Sequence, residues 1–152
     1  METTFRINQT SRQFLARFLE ELSLEQLNTI PQGFRNNIIW NIGHIVVTQQ
    51  LLVYKLSGLP MYISDEIVAK YQKGTVPTSP VTQEEVNEIK GMLFSTIEQQ
   101  KTDFELGIFK NFFEYTTQTG NFTIHNVKEA FEFNNFHEGL HIGVILQLKK
   151  LA

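Results

Sequence analysis

Near its C-terminus the sequence reads His137-Glu138-Gly139-Leu140-His141, which matches the H-E-x-x-H pattern of zinc metalloprotease helices. Two histidines four positions apart lie on one face of a helix, so both imidazoles can bind one divalent metal from the same side. Only residues 142–152 follow, and they contain no His, Asp or Glu. Any third ligand must therefore come from upstream, which argues against an ordinary metalloprotease.

The residues around this stretch continue one helical face. It is apolar at both ends and polar in the middle, and its members are Val127, Ala130, Phe131, Asn134, His137, His141, Val144 and Leu148. Burying Asn134, His137 and His141 without hydrogen-bond partners would cost roughly several kcal/mol in total. A metal would satisfy the imidazoles, although a histidine pair with no other support is more often structural or solvated.

A second helical stripe carries one more histidine among apolar residues. It consists of Trp40, His44, Val47 and Leu51, and the adjacent Gly43 permits close approach of a neighbouring helix or ligand. If the two helices face each other, His44 can meet His137 and His141. Three imidazoles with an open coordination position match a catalytic zinc site, and they also suit nickel or iron.

Other polar residues near the histidines have two possible roles each. Glu138 is either a general base that polarises a metal-bound water or an outward, solvated carboxylate about 100° around the helix from His137. Asn134 either orients a ligand or bonds another helix, and Gln49 is a further candidate for orienting ligands or passing protons. His125 lies roughly 18 Å from His137 by helix rise, so we expect it at an exposed helix start outside the site.

Hydrophobic periodicity and capping residues predict four long helices, at about residues 3–22, 38–56, 82–103 and 124–151. Capping patterns at Ser23 and Ser64 start short helical turns, and Thr123 is the expected cap of the last helix. The fold class is therefore all-α, a four-helix bundle forming a single domain over residues 1–152. The irregular segment 59–80 is long enough to cover a site, as a mobile lid or as a fixed cover.

The last helix is also apolar on the side opposite its histidines. Phe136 and Leu140 flank Gly139 and Gly143 there. One bundle interior cannot cover both sides of a helix, so either a loop or a second chain packs on this outer face. The glycines favour close helix-to-helix contact in a homodimer.

Composition excludes several classes of function. The net charge is -3 and no basic block occurs, which argues against a nucleic-acid partner. Cysteine is absent, which excludes disulfides and thiolate ligands. No apolar run approaches the roughly 20 residues of a membrane span, and the polar N-terminus does not resemble a signal peptide. We therefore expect a cytoplasmic protein with no membrane partner.

Two segments resemble the motifs of the DinB-like (YfiT-like) metalloenzyme family. They are Asn37-Ile38-Ile39-Trp40-Asn41-Ile42-Gly43-His44-Ile45 and Phe136-His137-Glu138-Gly139-Leu140-His141-Ile142-Gly143. The resemblance implies a four-helix bundle in up-down-down-up order, commonly dimeric. It also implies a metal, most often zinc or nickel, held by His44, His137 and His141. Characterised members of that family include thiol-dependent transferases and isomerases that use low-molecular-weight thiols such as bacillithiol or mycothiol.

Three functions fit these observations. The first is a metal-dependent enzyme acting on a small-molecule substrate, either a thiol-dependent S-transferase or a hydrolase. The second is a non-catalytic metal-binding or stress-response dimer. The third is a structural dimer whose histidines stabilise the bundle through a metal. The sequence does not distinguish them, because it contains no recognisable thiol-binding or substrate-binding residue.

Overall fold

The computed structural model describes residues 1–152 and is mostly helical, as the sequence predicts. The helices are α1 (Glu2–Glu21), α2 (Leu24–Asn28), α3 (Ile38–Gln50), α4 (Asp65–Tyr71), α5 (Gln83–Glu105) and α6 (Val127–Leu151). A π-helical segment, Leu51–Lys55, continues α3. Strands β1 (Tyr115–Thr116) and β2 (Thr123–Ile124) form an antiparallel hairpin before α6. None of the helices combines the length and the apolar character needed to cross a membrane.

The helix starts follow the capping residues, with one correction. Ser23 forms the predicted capping box, and Ser64 and Thr82 cap α4 and α5. The last helix begins at Val127, capped by the Asn126 side chain, and the prediction of Thr123 as its cap is wrong. Thr123 instead lies in β2, where pairing with β1 occupies its backbone and keeps it extended.

Helix α1 packs against α5 and α6, and its contacts show the relative directions of the three helices. The side-chain pairs are Thr4–Glu132 and Glu21–Lys149 toward α6, and Glu2–Lys101 and Glu20–Lys90 toward α5. Toward α6, the later residue of α1 contacts the later residue of α6. Toward α5, the later residue of α1 contacts the earlier residue of α5. Helix α1 therefore runs parallel to α6 and antiparallel to α5.

Helix α3 also packs against α5 and α6. Asn41 contacts His141, and His44 contacts His137 one turn earlier in α6, so α3 and α6 are antiparallel. The pairs toward α5 are Gln49–Gln100 and, from the π-helical segment, Tyr54–Asp103. They run parallel. The antiparallel α3–α6 pair is the one that positions the histidines.

A glycine lets α4 lie directly against α3. A Cβ atom built on Gly43 would come within 2.5 Å of the Tyr71 ring, closer than two carbon atoms can approach. The prediction that Gly43 permits close approach is therefore confirmed, and its neighbour is the aromatic residue at the end of α4. Tyr71 is 1% exposed, so its ring has little room to move.

Replacing Gly43 with Ala should destabilise the protein by about 1–3 kcal/mol, because the added methyl group overpacks against Tyr71. The matched control is Gly91→Ala in α5, where nothing lies within 4 Å of the added atom. That change should stabilise the protein by up to about 1 kcal/mol through helix propensity. Urea denaturation measures both, and equal stabilisation by the two substitutions would show that the ring moves aside freely.

Candidate metal centre

Three histidines converge where α3 and α6 cross. One ring nitrogen of each of His44, His137 and His141 lies within 4.8 Å of the others. The ring centroids are 5.2 Å apart for His44 and His137, 4.8 Å for His44 and His141, and 4.5 Å for His137 and His141. The structure thus brings together the three residues that the sequence predicted as ligands.

These separations are close to those of a metal-bound set. Zinc–nitrogen bonds of about 2.1 Å in tetrahedral geometry place ligand nitrogens roughly 3.4 Å apart. The nitrogens therefore need to approach one another by up to about 1.4 Å to share one ion. Small side-chain rotations supply shifts of that size, because the ring centroids already lie 4.5–5.2 Å apart.

The imidazole of His44 is oriented by a backbone group. Its Nδ1 lies 2.7 Å from the carbonyl oxygen of Tyr71, to which it must donate because a carbonyl only accepts. Nε2 is then the unprotonated nitrogen, and it accepts from the Thr48 hydroxyl at 3.3 Å, a contact that a bound metal would replace. The Trp40 indole stacks on the same ring, with centroids 4.8 Å apart and an interplanar angle of 9°.

The imidazole of His141 is oriented by a side chain. Its Nδ1 lies 2.8 Å from Oδ1 of Asn41. The amide of Asn41 donates through Nδ2 to the Asn36 side chain and to the Asn37 carbonyl, so its oxygen must face the histidine. Nδ1 of His141 therefore donates and Nε2 is free. Hydrogen bonds of this kind, made by the nitrogen away from the metal, are typical of metal-binding histidines.

His137 has the unsatisfied atom of the group. Its Nδ1 is buried and has no hydrogen-bond partner. Leaving a buried polar nitrogen unpaired costs about 1–3 kcal/mol. This unpartnered imidazole lies beside those of His44 and His141, and one divalent ion would fit the set of three imidazoles.

Burial keeps all three histidines neutral. Loss of solvation lowers the pKa of His137 to about 3 and that of His141 to about 4, and repulsion from neighbouring histidines contributes to both shifts. Burial also lowers the pKa of His44, although the hydrogen bond to Tyr71 opposes the shift. Neutral imidazole is the form that binds metals, so no proton has to leave near neutral pH.

A pocket of about 310 Å³ opens beside His44 and His137. Its walls come from the C-terminal half of α3 with its π-helical segment, from the β-hairpin, from α6 and from the segment 59–80 through Lys73. The segment 59–80 also supplies the Tyr71 carbonyl that orients His44. An ion held by the three histidines would therefore have space for a small molecule next to it.

The family assignment agrees with this geometry. The family model of the DinB superfamily matches residues 7–145, which is most of the chain. The chain belongs to the DinB superfamily. No curated protein matches it. The sequence resemblance to DinB-like proteins is therefore confirmed, and the histidine cluster lies within the matched residues.

Several other polar residues lie away from the histidines. Gln49 is buried against α5, where its amide nitrogen Nε2 donates to Oε1 of Gln100. Asn134 donates to the Glu138 side chain four residues later in α6. His125 is exposed and contacts Glu114, so the prediction that it stays outside the site is confirmed.

Glu138 lies on the α1 side of α6, and the prediction of an outward, solvated carboxylate is wrong. Its side chain is fully buried in an ion pair with Arg12 at 2.8 Å. The same oxygen, Oε1, accepts from Arg12 Nε and from the amides of Asn8 and Asn134. A general base must reach the group that it deprotonates, and Glu138 does not line the pocket beside the histidines. These contacts favour a structural role.

Three important residues were missed by sequence reasoning. Asn41 had a signal, because it precedes His44 by three positions and shares its helical face. Arg12 also had a sequence signal, because this cation lies three positions before Leu15 and so shares the buried face of α1. Tyr71 had none, because its backbone carbonyl makes the contact and any residue type would provide it.

Replacing Glu138 with Leu should lower the free energy of unfolding by about 3–5 kcal/mol, because Arg12 is left as a buried, unpaired charge. The double variant Arg12→Met, Glu138→Leu should recover most of that loss, since no charge remains buried. Chemical denaturation measures both effects. The metal content of the folded protein should be unchanged in each, and a stable Glu138→Leu protein that loses its metal would place Glu138 at the metal centre.

Proposed function

We propose that this DinB-superfamily protein is a metal-dependent enzyme acting on a small-molecule substrate. His44, His137 and His141 would hold one divalent ion, with zinc or nickel preferred and iron as a further candidate. The observation that carries the proposal is the convergence of three neutral imidazoles, two of them already oriented by hydrogen bonds, beside a pocket. A purely structural metal site would not need that adjoining space.

A bound ion with an open position would supply Lewis acidity and would lower the pKa of a bound water or thiol. The protein contributes a neutral, preoriented donor set and a pocket that holds the reactant beside it. Thiol-dependent S-transfer and hydrolysis are the two reaction classes proposed. A low-molecular-weight thiol as co-substrate is supported by the superfamily resemblance and not by any identified thiol-binding residue.

The proposal includes the helix arrangement of the family. We infer that α1, α3, α5 and α6 form one four-helix bundle in up-down-down-up order. The support is the direction of each packed pair: α1 and α6 run one way, and α3 and α5 run the other. In this arrangement the histidines lie between two adjacent, antiparallel helices.

The general-base role of Glu138 stays a prediction that its contacts do not favour. Its carboxylate is already bound by Arg12 on the far side of α6. The pocket is lined by no carboxylate that could act in place of Glu138. In the proposed enzyme, proton transfer would therefore use the substrate, solvent or a hydroxyl such as that of Thr48, which lies 3.3 Å from Nε2 of His44.

Metal analysis tests the proposal directly. Purified protein should carry close to one divalent ion per chain. His137→Ala, His141→Ala and His44→Ala should each remove most of it and lower the melting temperature in metal-containing buffer, since a ligand that binds only the folded state stabilises it. His125→Ala is the matched control and should change neither quantity. Full occupancy in a His137→Ala, His141→Ala double variant would refute the site.

We further propose that the protein is a homodimer through the outer face of α6. Phe136 and Leu140 are 52% and 43% exposed, and nothing lies within 4 Å of a Cβ built on Gly139 or Gly143. Between Phe136 and Gln147 this exposed stripe has no charged residue, and its members there are Phe136, Gly139, Leu140, Gly143, Val144 and Gln147; Leu151 continues it next to Lys150. An uncharged stripe with two glycines can pack against its own copy about a two-fold axis without charge repulsion.

Light scattering tests this association. The wild-type protein should have the mass of two chains, and Gly139→Arg should have the mass of one, because a charged side chain would be buried in the contact. The control is Gly91→Arg at an exposed position of α5, which should leave the mass unchanged. A wild-type mass of one chain at high concentration would exclude the dimer.

A further inference from the structure

The pocket beside the histidines has a one-sided charge. Its lining includes Lys55 and Lys73 and contains no Asp or Glu, although acidic residues outnumber basic ones in the chain, 16 to 13. Both lysines are exposed at this pocket. The local charge is therefore positive in a protein whose net charge is negative.

Neither lysine is neutralised by a carboxylate of the protein. Lys70, Lys90, Lys101 and Lys149 each form an ion pair, whereas Lys55 and Lys73 do not. The Nζ of Lys73 instead donates to the neutral amide oxygen of Gln118, at 2.5 Å. An anionic acceptor makes a stronger hydrogen bond with an ammonium group than an amide does, so a bound anion could replace Gln118.

The rest of the pocket wall is largely apolar. Leu51, Leu52 and Leu56 belong to the helical stripe that begins at His44 and continues through Thr48, and Phe133 of α6 lies near them. The π-helical segment Leu51–Lys55 carries part of this stripe. Such segments are rare and often occur at functional sites. The stripe places apolar side chains and one ammonium group along a single wall.

We propose that this pocket binds a small organic anion with an apolar body. The ammonium groups of Lys55 and Lys73 bind the anionic group, and the leucines with Phe133 contact the apolar part. A volume of about 310 Å³ limits the ligand to a small molecule. The inference rests on the proposed function in taking this ligand to be the substrate or co-substrate of the adjacent metal centre.

Calorimetric titration of the full-length protein tests the inference with three probes of equal length: hexanoate, hexanamide and hexylammonium. Zinc-loaded and chelator-treated samples are titrated in parallel, with zinc content measured in each. Hexanoate should bind at least about threefold more tightly than hexanamide, a modest preference because exposed ion pairs contribute little to affinity. Hexylammonium should bind more weakly than hexanamide, because the two lysines repel it. The preference for hexanoate should weaken with added salt.

Two substitutions separate lysine binding from direct binding to the ion. Lys55→Met and Lys73→Met shorten the side chain by one atom and remove the charge, so each should weaken hexanoate binding by about threefold to fivefold and leave hexanamide binding nearly unchanged. Lys128→Met, in the first turn of α6 and outside the pocket, is the control and should have no effect. At saturating zinc, the zinc content should stay the same in all three variants.

The outcomes distinguish this inference from the proposed function. Hexanoate binding that is lost in His137→Ala but unchanged in both lysine variants would show the carboxylate on the ion itself, and would overturn the inference. Absence of hexanoate preference in zinc-loaded protein would overturn it while leaving the metal site intact. Lysine-dependent binding in a protein that takes up no zinc would support the anion pocket and refute the metal enzyme.

Discussion

The burial of three uncharged imidazoles between two antiparallel helices is the constraint on which the rest of the site depends. Two of the rings are held by hydrogen bonds from different parts of the chain, the Tyr71 carbonyl for His44 and the Asn41 amide oxygen for His141, and Nδ1 of His137 has no partner. The carbonyl reaches His44 because α4 lies directly on α3 at Gly43. A change at the glycine therefore acts on the histidine through Tyr71, although neither residue would touch the ion.

Helix α6 buries polar side chains on two sides, one against α3 and one against α1, and each side needs polar partners from the helix it faces. Its histidines face α3, and Glu138 faces α1, where Arg12 and two amides surround one carboxylate oxygen. The carboxylate neighbour of His137 in sequence is thereby separated from it in space and neutralised by a cation. The remaining side of α6 is exposed and carries no charged residue between Phe136 and Gln147, and it is the side left for a partner chain.

Much of this structure follows from the sequence, and the failures have physical causes. Periodicity and caps predicted the long helices, and the two histidine stripes predicted the ligand cluster, because both signals are local to one helix. The start of α6 was misplaced because the hairpin pairing of Thr123 with Thr116, seven positions earlier, overrode the capping preference. The burial of Glu138 was missed because it depends on Arg12, 126 positions away. The role of Tyr71 could not be predicted from the sequence, because its backbone carbonyl makes the contact and every residue type has such a carbonyl.

The charges at the pocket link metal binding to anion binding. Lys73 lines the same pocket as His44 and His137, and its positive charge is the smallest of the causes that lower the pKa of these two histidines, after burial. The same charge disfavours a divalent cation there, and no carboxylate in the pocket offsets it. An organic anion on Lys55 and Lys73 would remove that repulsion, so it would strengthen metal binding. By reciprocity a bound ion would strengthen anion binding by the same factor. The missing carboxylate near the histidines is then a feature of the site, because a protein carboxylate in that position would compete with the ligand for both the lysines and the ion.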